Sequence, residues 1–429
     1  MIPSKIKNIL SNAENRELLL SSGLAFVIRV LGALSGFAAT FFIARHLGAS
    51  ESGYYFLAFT VVTVVSAFSR VGLDNTVLRF TGGSPELAVS ATSKAFLLML
   101  LVSLLCGAAL YFFSPTLSVA VFSKPELSPV LRNMSLGVLG LSGLTLAAMA
   151  LQGLRRVSAS IFILNIAVNL VLILSLTFFS VNSGQSLALV YGLASLFVFA
   201  LGAAWFAWFR PRVNQQSLSW AALIASCGPL WVVVIMAQMV QWSGQFVAGA
   251  YVSSDTLAQL AVAQRTAMLS SFILIAVNLV VAPRFAQLYK NDDMQGLERL
   301  AIKAVKLITL IAVPVIGGML LFPEFLMGLF GEEFTDGAAL LRILAVGQFI
   351  NAMTGSVGFL LIMSGHERDM RNVTLVCGTV ALLLTWVLTA QFGVTGAAIG
   401  TAIAVATQNL LAVYFVKKRL GFNTLAVWK

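Results

Sequence analysis

Residues 18–44 read LLLSSGLAFVIRVLGALSGFAATFFIA, and this run decides the fold class. A bilayer core of roughly 30 Å requires about 20 predominantly apolar residues per helix, so the run is long enough to cross it. Its single formal charge, Arg29, costs about 2.5–3.5 kcal/mol at the centre of a membrane helix, which favours a polar or protein-lined surrounding. Gly32, Gly36 and Thr40 follow on the same side of that helix. We therefore expect the Arg29 face to form one wall of a central cavity.

Similar runs recur along the chain, in which 59% of the residues are hydrophobic and 10% are charged. This composition predicts an all-α polytopic membrane protein. We expect twelve transmembrane helices at residues 18–44, 53–71, 95–113, 133–151, 160–181, 187–209, 221–251, 257–283, 307–322, 343–363, 373–392 and 395–415. The polar segment 210–220 is the predicted linker between an N-terminal six-helix lobe, residues 1–209, and a C-terminal six-helix lobe, residues 221–429.

The distribution of positive charge predicts the orientation. If the N-terminus is cytoplasmic, 21 of the 27 lysines and arginines fall in cytoplasmic segments and only four fall in outer loops. The remaining two, Arg29 and Arg265, lie within predicted spans. Such a bias is the positive-inside pattern, so we expect both termini in the cytoplasm. The net charge of +11 is explained by this bias and by anionic lipids, and no nucleic-acid partner is needed.

The two halves of the chain resemble each other. Matching features recur 205 to 212 residues apart: Arg79-Phe80 and Arg284-Phe285, Glu86 with Lys94 and Glu298 with Lys306, Leu131-Arg132 and Leu341-Arg342, Gly153 and Gly365. Six spans per half preserve the orientation of each half, which predicts a parallel repeat about an axis along the membrane normal. We expect two six-helix lobes around a central cavity that opens alternately to either side.

The ionisable residues within the spans are arginines. All sixteen carboxylates fall in loops or at helix ends, whereas Arg29 and Arg265 lie inside spans. Arginine stays protonated, so neither residue is a proton relay. Two fixed positive charges in a cavity suit an anion, and a guanidinium fits phosphate particularly well. For Arg265 an alternative is open, because it lies near the start of the eighth span and its side chain can reach the outer interface.

Neutral polar residues form rows on several spans. Gln238, Gln241 and Gln245 share one face of the seventh span and are the amides we expect to bind a hydroxyl-rich ligand. Other rows are Gln264, Ser271 and Asn278 on the eighth span, Gln348 and Asn351 on the tenth, and Asn165 and Asn169 on the fifth. Each of these residues has an alternative role as an ordinary interhelical hydrogen-bonding partner.

Arg79 and Arg284, at the predicted cytoplasmic ends of the second and eighth spans, are candidate gate residues, with interfacial anchoring as the alternative. No GxxxxGK[ST] phosphate-binding loop is present. The chain has only two histidines, too few to suggest a histidine-based catalytic or metal centre. We therefore expect a protein that is not an enzyme and binds no metal or other cofactor.

The stretch 41–55, FFIARHLGASESGYY, and the stretch 71–80, VGLDNTVLRF, resemble the polysaccharide-transporter branch of the multidrug/oligosaccharidyl-lipid/polysaccharide exporter superfamily. The shared pattern is Ala-Arg-x-Leu-Gly-x-x-x-x-Gly-x-Tyr, followed by Gly-Leu and an arginine near the helix end. The resemblance implies a flippase for undecaprenyl-diphosphate-linked oligosaccharides such as O-antigen units. It also implies a bacterial inner membrane, membrane lipids and a glycan polymerase as partners, and a diphosphate attracted by Arg29 and Arg265.

Two other functions stay open at this point. A cation-coupled multidrug exporter of the same fold is the main rival, although exporting organic cations favours a carboxylate in the cavity. A membrane scaffold for glycan assembly is another, but it does not explain two arginines within spans. The coupling ion, proton or sodium, is not indicated, because no carboxylate lies within a predicted span.

Overall fold

The computed structural model describes residues 13–179, 181–213 and 216–426, apart from the side chains of residues 13–26, Pro229 and Leu279. All regular secondary structure in these ranges is helical. The α-helices of the first half are α1 (Ala13–Ser69), α2 (Leu73–Gly83), α3 (Pro85–Thr116), α4 (Leu127–Met134), α5 (Leu136–Gly153), α6 (Val157–Ile161), α7 (Ala167–Phe178) and α8 (Gly184–Phe209). Those of the second half are α9 (Trp220–Tyr251), α10 (Ser254–Met268), α11 (Ser271–Lys290), α12 (Met294–Leu321), α13 (Pro323–Gly328), α14 (Ala338–Thr354), α15 (Val357–Met363) and α16 (Glu367–Leu420).

Two of these helices are hairpins that reverse at one glycine. Within α1, Gly48 has φ 68° and ψ −177°, and Arg265 contacts Thr40 before this glycine as well as Phe56 after it. Within α16, Gly393 has φ 58° and ψ −138°. Residues with side chains avoid positive φ, so glycine is the residue suited to a reversal without a longer loop.

Ten helical runs in the described ranges are long and apolar enough to cross a membrane. Two of them, Val27–Ser69 and Glu367–Leu420, contain the reversals at Gly48 and Gly393, so they supply two segments each. The prediction of an all-α multi-pass membrane protein is confirmed. The number of twelve crossings and the division into lobes at residues 210–220 stay predictions.

The two halves share a local backbone motif at equivalent places. After α5, the residue in the left-handed region is Arg155, with φ 60°, and after α15 it is Gly365, with φ 76°. In the first half the following N–H, of Arg156, donates to Leu151 O at 2.9 Å. In the second half the N–H of His366 donates to Leu361 O at 2.8 Å. The backbone therefore pairs Arg155, rather than Gly153, with Gly365. Superposition of whole lobes stays a prediction.

The two halves are in direct contact at the end of the molecule where Gly48 lies. The hydrogen bonds that cross between them there include Arg45 Nε to Leu329 O at 3.0 Å, Ala49 N to Glu333 Oε2 at 2.7 Å, and Lys124 Nζ to Gly249 O at 2.6 Å. The ring of Phe330 packs edge-on against Phe37 and Phe41, with centroids 5.4 and 6.0 Å apart. We call this set of contacts the outer seal, after its predicted orientation.

Candidate functional site

A cavity of about 610 Å³ lies between the halves, and both predicted arginines line it. We call it the arginine cavity. Its lining extends from Ile43, near the outer seal, to Gln152 and Ser160, beside the α5–α6 connection at the opposite end. Helices α1, α5, α6, α7 and α8 of the first half contribute to it, together with α9, α10 and α11 of the second half. The cavity is therefore built at the boundary between the halves.

Arg265, on α10, is held by contacts with α1 of the other half. Its Nη1 donates to Thr40 Oγ1 at 3.3 Å, and its guanidinium carbon lies 4.2 Å from the ring centroid of Phe56 and 5.2 Å from that of Phe59. Cation–π contact of this kind stabilises a charge that has left water. The side chain lines the cavity, so the alternative of an arginine reaching out to the interface does not describe this structure.

Arg29, on the arm of α1 before Gly48, lines the same cavity and is half-buried. Within the described part of the chain, its guanidinium forms no hydrogen bond or ion pair. Gly32, one turn further along, permits close packing, because a Cβ there would lie 2.9 Å from Asn165 Cβ. Asn165 belongs to a π-helical turn, Phe162–Ile166, whose freed carbonyl accepts a hydrogen bond from Ser35 Oγ at 2.8 Å.

No carboxylate occurs among the described residues that line this cavity. Two guanidinium groups therefore line one cavity without a compensating negative charge from its described walls. Arginine donates several N–H groups in a planar fork and retains its charge, so the arrangement suits an anion with paired oxygens, such as a phosphate or diphosphate.

Aromatic residues form a second part of the lining that the sequence did not predict: Tyr55, Phe59, Tyr191 and Trp242. The ring of Phe59 packs edge-on against Tyr191, with centroids 5.5 Å apart, and against Trp242 at 5.9 Å. Aromatic faces in a site contribute contact area for a sugar ring or a lipid chain, and a polar tip where tyrosine or tryptophan supplies one. Of these four, Tyr55 was indicated by the sequence, because it is the last residue of the family-like pattern in residues 41–55.

The three glutamines predicted on α9 lie in different surroundings. Gln245 has no exposed surface: its Nε2 donates to Gln264 Oε1 at 3.0 Å, and its Oε1 accepts from Thr60 Oγ1 at 2.9 Å. Gln241 lines a second cavity, and Gln238 lines neither of the two. Gln241 thus faces a cavity, whereas Gln245 forms a buried hydrogen bond between the two halves.

The second cavity, of about 370 Å³, lies within the second half. We call it the amide cavity after the side chains that line it: Gln241, Gln264, Gln348, Asn351, Gln408 and Asn409. None of the described residues that line it is charged. Met268 lines both cavities, and Arg265 and Gln264 are consecutive residues that line one cavity each. The two cavities are therefore neighbours along α10.

The two candidate gate arginines are placed differently. Arg79 Nη2 donates to Ser226 Oγ at 3.0 Å, which joins α2 to α9 of the other half. Nearby, Trp231 Nε1 donates to Phe68 O at 2.8 Å, and this bond also crosses between the halves. Arg284 is exposed and forms no hydrogen bond or ion pair with any residue that the structure describes. The structure brings Arg79, but not Arg284, to a contact between the halves.

Comparison with known proteins gives one match to a protein family. The sequence profile of a family described as "Polysaccharide biosynthesis protein" matches residues 42–339. A curated protein of Haloferax volcanii, named "Probable low-salt glycan biosynthesis flippase Agl15", is 24% identical in an alignment of 412 residues that covers 93% of this chain and 84% of that protein.

Solved structures share the fold at low sequence identity. The lipid II flippase MurJ in an inward closed conformation has a TM-score of 0.72 and 15% identity, over 93% of this chain and 87% of that one. An inward-facing multidrug resistance MATE family transporter of the MOP superfamily has a TM-score of 0.70 and 16% identity, over 93% of this chain and 98% of that one. The chain therefore has the fold of these transporters.

Proposed function

Because the chain belongs to the family of polysaccharide biosynthesis proteins, we propose that it is a flippase for a lipid-linked oligosaccharide. The family membership confirms the resemblance seen in residues 41–55 and 71–80. The curated relative is named a glycan biosynthesis flippase, and one solved neighbour is a lipid II flippase. Both names agree with the proposal.

The observation that carries the proposal is that Arg29 and Arg265 line the same cavity, whose described lining holds no carboxylate. A lipid-linked oligosaccharide has a diphosphate between its chain and its glycan. Charge-assisted hydrogen bonds from guanidinium to phosphate oxygens are the strong ones, and weak screening inside a membrane protein strengthens them further. We propose that the diphosphate binds between these two side chains.

The arrangement of the halves supports alternating access. The outer seal closes one end, while the lining of the arginine cavity reaches Gln152 and Ser160 towards the other. With the predicted orientation, we propose that this is a state closed to the outside. We propose that opening of the outer seal releases the glycan on the outer side, with both termini remaining cytoplasmic.

The finer substrate assignment is part of the same proposal. The carrier is undecaprenyl diphosphate and the glycan is an O-antigen unit or a similar repeat, moved from the cytoplasmic to the periplasmic leaflet of a bacterial inner membrane. Membrane lipids surround the protein, and a glycan polymerase receives the product. The resemblance of residues 41–55 and 71–80 to the polysaccharide-transporter branch supports these assignments.

A multidrug exporter is the rival, since a MATE family transporter shares the fold. The charge of the cavity separates the two hypotheses. An organic cation placed between Arg29 and Arg265 would be repelled in a medium of low dielectric constant, where no nearby carboxylate offsets the repulsion.

A strain that lacks this gene provides the test. We expect lipid-linked oligosaccharide to accumulate on the cytoplasmic side and the surface glycan to be lost, while drug tolerance stays unchanged. Plasmid-borne wild-type protein should restore the glycan, and an empty plasmid is the control. An unchanged glycan together with lowered drug tolerance would favour the exporter.

A further inference from the structure

We propose that the amide cavity is a binding site for a sugar residue of the substrate, separate from the site of its diphosphate. The inference rests on the proposed function, because it assigns the glycan and the diphosphate of one substrate to two neighbouring cavities. Hydroxyl groups of a sugar both donate and accept hydrogen bonds, and carboxamides do the same. A cavity lined by neutral amides and hydroxyls therefore matches an uncharged carbohydrate.

The amides of this cavity have unused hydrogen-bonding capacity. Gln348 Oε1 accepts from Ser271 Oγ at 2.8 Å and from Asn351 Nδ2 at 3.1 Å, which orients the amide. Within the described residues, no protein group accepts from Gln348 Nε2 or donates to Asn351 Oδ1. Across the cavity, Asn409 Nδ2 bonds only to Val405 O of its own helix, at 2.9 Å, and its Oδ1 has no protein donor there.

The lining of the two cavities differs in charge. Among the described residues, two guanidinium groups line the arginine cavity, whereas all that line the amide cavity are neutral. An anion therefore gains free energy in the first cavity and gains little from the second. A volume of about 370 Å³ lies in the range of about 300–1,000 Å³ found for small-ligand sites. A bare cation is a poorer occupant, because the cavity is large and its described lining supplies no carboxylate.

The two cavities are arranged so that one ligand can extend from one into the other across their boundary. Met268 lines both, and α10 ends at this residue before α11 begins at Ser271. A ligand that passes Met268 places its charged group beside Arg265 and its neutral group beside Gln264 and Ser271. A diphosphate joined directly to a sugar has this order of charged and neutral parts.

The test compares two kinds of probe on purified full-length protein. One is farnesyl diphosphate, which has no sugar, and the other is a panel of farnesyl diphosphates carrying glucose, galactose or N-acetylglucosamine. We expect at least one conjugate to bind more tightly than farnesyl diphosphate. Asn409→Leu should reduce that gain about three- to tenfold, the effect of losing one or two hydrogen bonds, and leave farnesyl diphosphate binding unchanged.

Two further variants complete the design. Gln287→Leu makes a similar change of chemistry at an exposed residue of α11 outside both cavities and should leave both affinities unchanged. Arg265→Gln should weaken both kinds of probe. Gln348→Leu is a second test of the amide cavity, with thermal unfolding measured alongside, because it also removes the acceptor for Ser271 and Asn351.

The outcomes separate this inference from the proposed function. If no conjugate binds more tightly than farnesyl diphosphate, or if the gain survives in both Asn409→Leu and Gln348→Leu, the sugar site is overturned while diphosphate binding stands. If farnesyl diphosphate itself fails to bind, the proposed diphosphate site is overturned. Stabilisation of the wild type by sodium chloride over potassium chloride, abolished by Asn409→Leu without any sugar effect, would overturn the sugar site in favour of a cation.

Discussion

At the scale of single residues, the positive charge of Arg29 is the feature on which transport should depend. Arg29→Lys should retain part of the activity, because a lysine replaces the charge but not the planar fork of donors. Arg29→Gln should lose about tenfold or more in apparent affinity, and Arg29→Glu should abolish transport by repelling the diphosphate. Restoration of surface glycan in the deletion strain measures the effect, with immunoblots to control for protein level. Full activity of a well-expressed Arg29→Glu protein would remove Arg29 from the site.

Gln245 should behave as a structural residue, although the sequence placed it with the substrate-binding amides. Gln245→Leu removes a bridge between Thr60 and Gln264, so we expect a loss of stability of about 0.6–1.7 kcal/mol, the range for such bonds in membranes. The affinity for farnesyl diphosphate should stay unchanged in the folded protein. Thermal unfolding in detergent and a binding titration measure the two effects, with Gln287→Leu, at an exposed residue of α11, as control. An undiminished melting temperature with lost binding would restore Gln245 to the site.

The contrast between Arg265 and Gln245 shows what a single sequence can supply at this scale. A charged residue within a span is costly, so the sequence alone places Arg29 and Arg265 towards an interior cavity. Neutral amides carry no such constraint, because both a cavity and a neighbouring helix satisfy them. Helical periodicity gives the side of α9 on which Gln238, Gln241 and Gln245 lie, but it does not say which neighbour that side meets.

At the scale of elements, the outer seal should act as a latch that Glu333 closes. Its carboxylate accepts from Ala49 N, at the beginning of the second arm of α1, where the helix dipole favours negative charge. Glu333→Ala should therefore increase the share of molecules open to the outside. Glu332→Ala, an exposed neighbour in the same turn, is the matched control and should have no effect.

Labelling of the cavity measures this opening. A cysteine at Ile43, which lines the arginine cavity and is 2% exposed, reports access from the outer side, in a background with Cys106, Cys227 and Cys377 replaced by alanine. Membrane-impermeant maleimide should label Ile43→Cys faster in the Glu333→Ala protein than in the parent. Equal rates in the two proteins would show that Glu333 does not close the seal.

Alanine variants of the two hairpin glycines distinguish the effect of backbone strain from the effect of disturbing the outer seal. An alanine at Gly48 or Gly393 is forced to a positive φ with an extended ψ, a region that only glycine adopts readily, which costs about 1–3 kcal/mol in each case. Only the Cβ at Gly48 also meets Glu333, at 3.3 Å from Oε2, whereas nothing lies within 4 Å at Gly393. We expect both variants to lower the melting temperature and only Gly48→Ala to speed Ile43→Cys labelling. Faster labelling in Gly393→Ala as well would attribute the opening to general instability.

The elements were predicted more completely than their connections. Apolar runs locate the membrane helices, because about 20 such residues are needed whatever their neighbours are. The sequence suggested a connection over residues 45–52, whereas the helix continues on both sides of Gly48 and reverses there. It also suggested one span at 257–283, where α10 ends at Met268 and α11 begins at Ser271. Positive φ and helix breaks depend on packing against other elements, which periodicity does not report.

At the scale of the whole molecule, the charge bias predicts the orientation in the membrane. Gln295→Cys and Glu332→Cys place exposed thiols at opposite ends of the protein, in the same background without native cysteines. Impermeant maleimide should label Glu332→Cys in intact cells and Gln295→Cys only after permeabilisation, because the positive-inside pattern puts residues 284–306 in the cytoplasm. Labelling of Gln295→Cys from outside intact cells would reverse the topology.

The central claim is that this protein moves a lipid-linked oligosaccharide across a bilayer through the arginine cavity. Proteoliposomes containing the purified protein and glycan-labelled fluorescent substrate from the deletion strain test it directly, because dithionite bleaches only dye that reaches the outer leaflet. The wild type should bleach beyond the outer-leaflet share seen in protein-free vesicles, and the Arg29→Glu, Arg265→Glu double variant should stop at that share. A wild type that bleaches no further than protein-free vesicles, or a double variant that equals the wild type, would contradict the account.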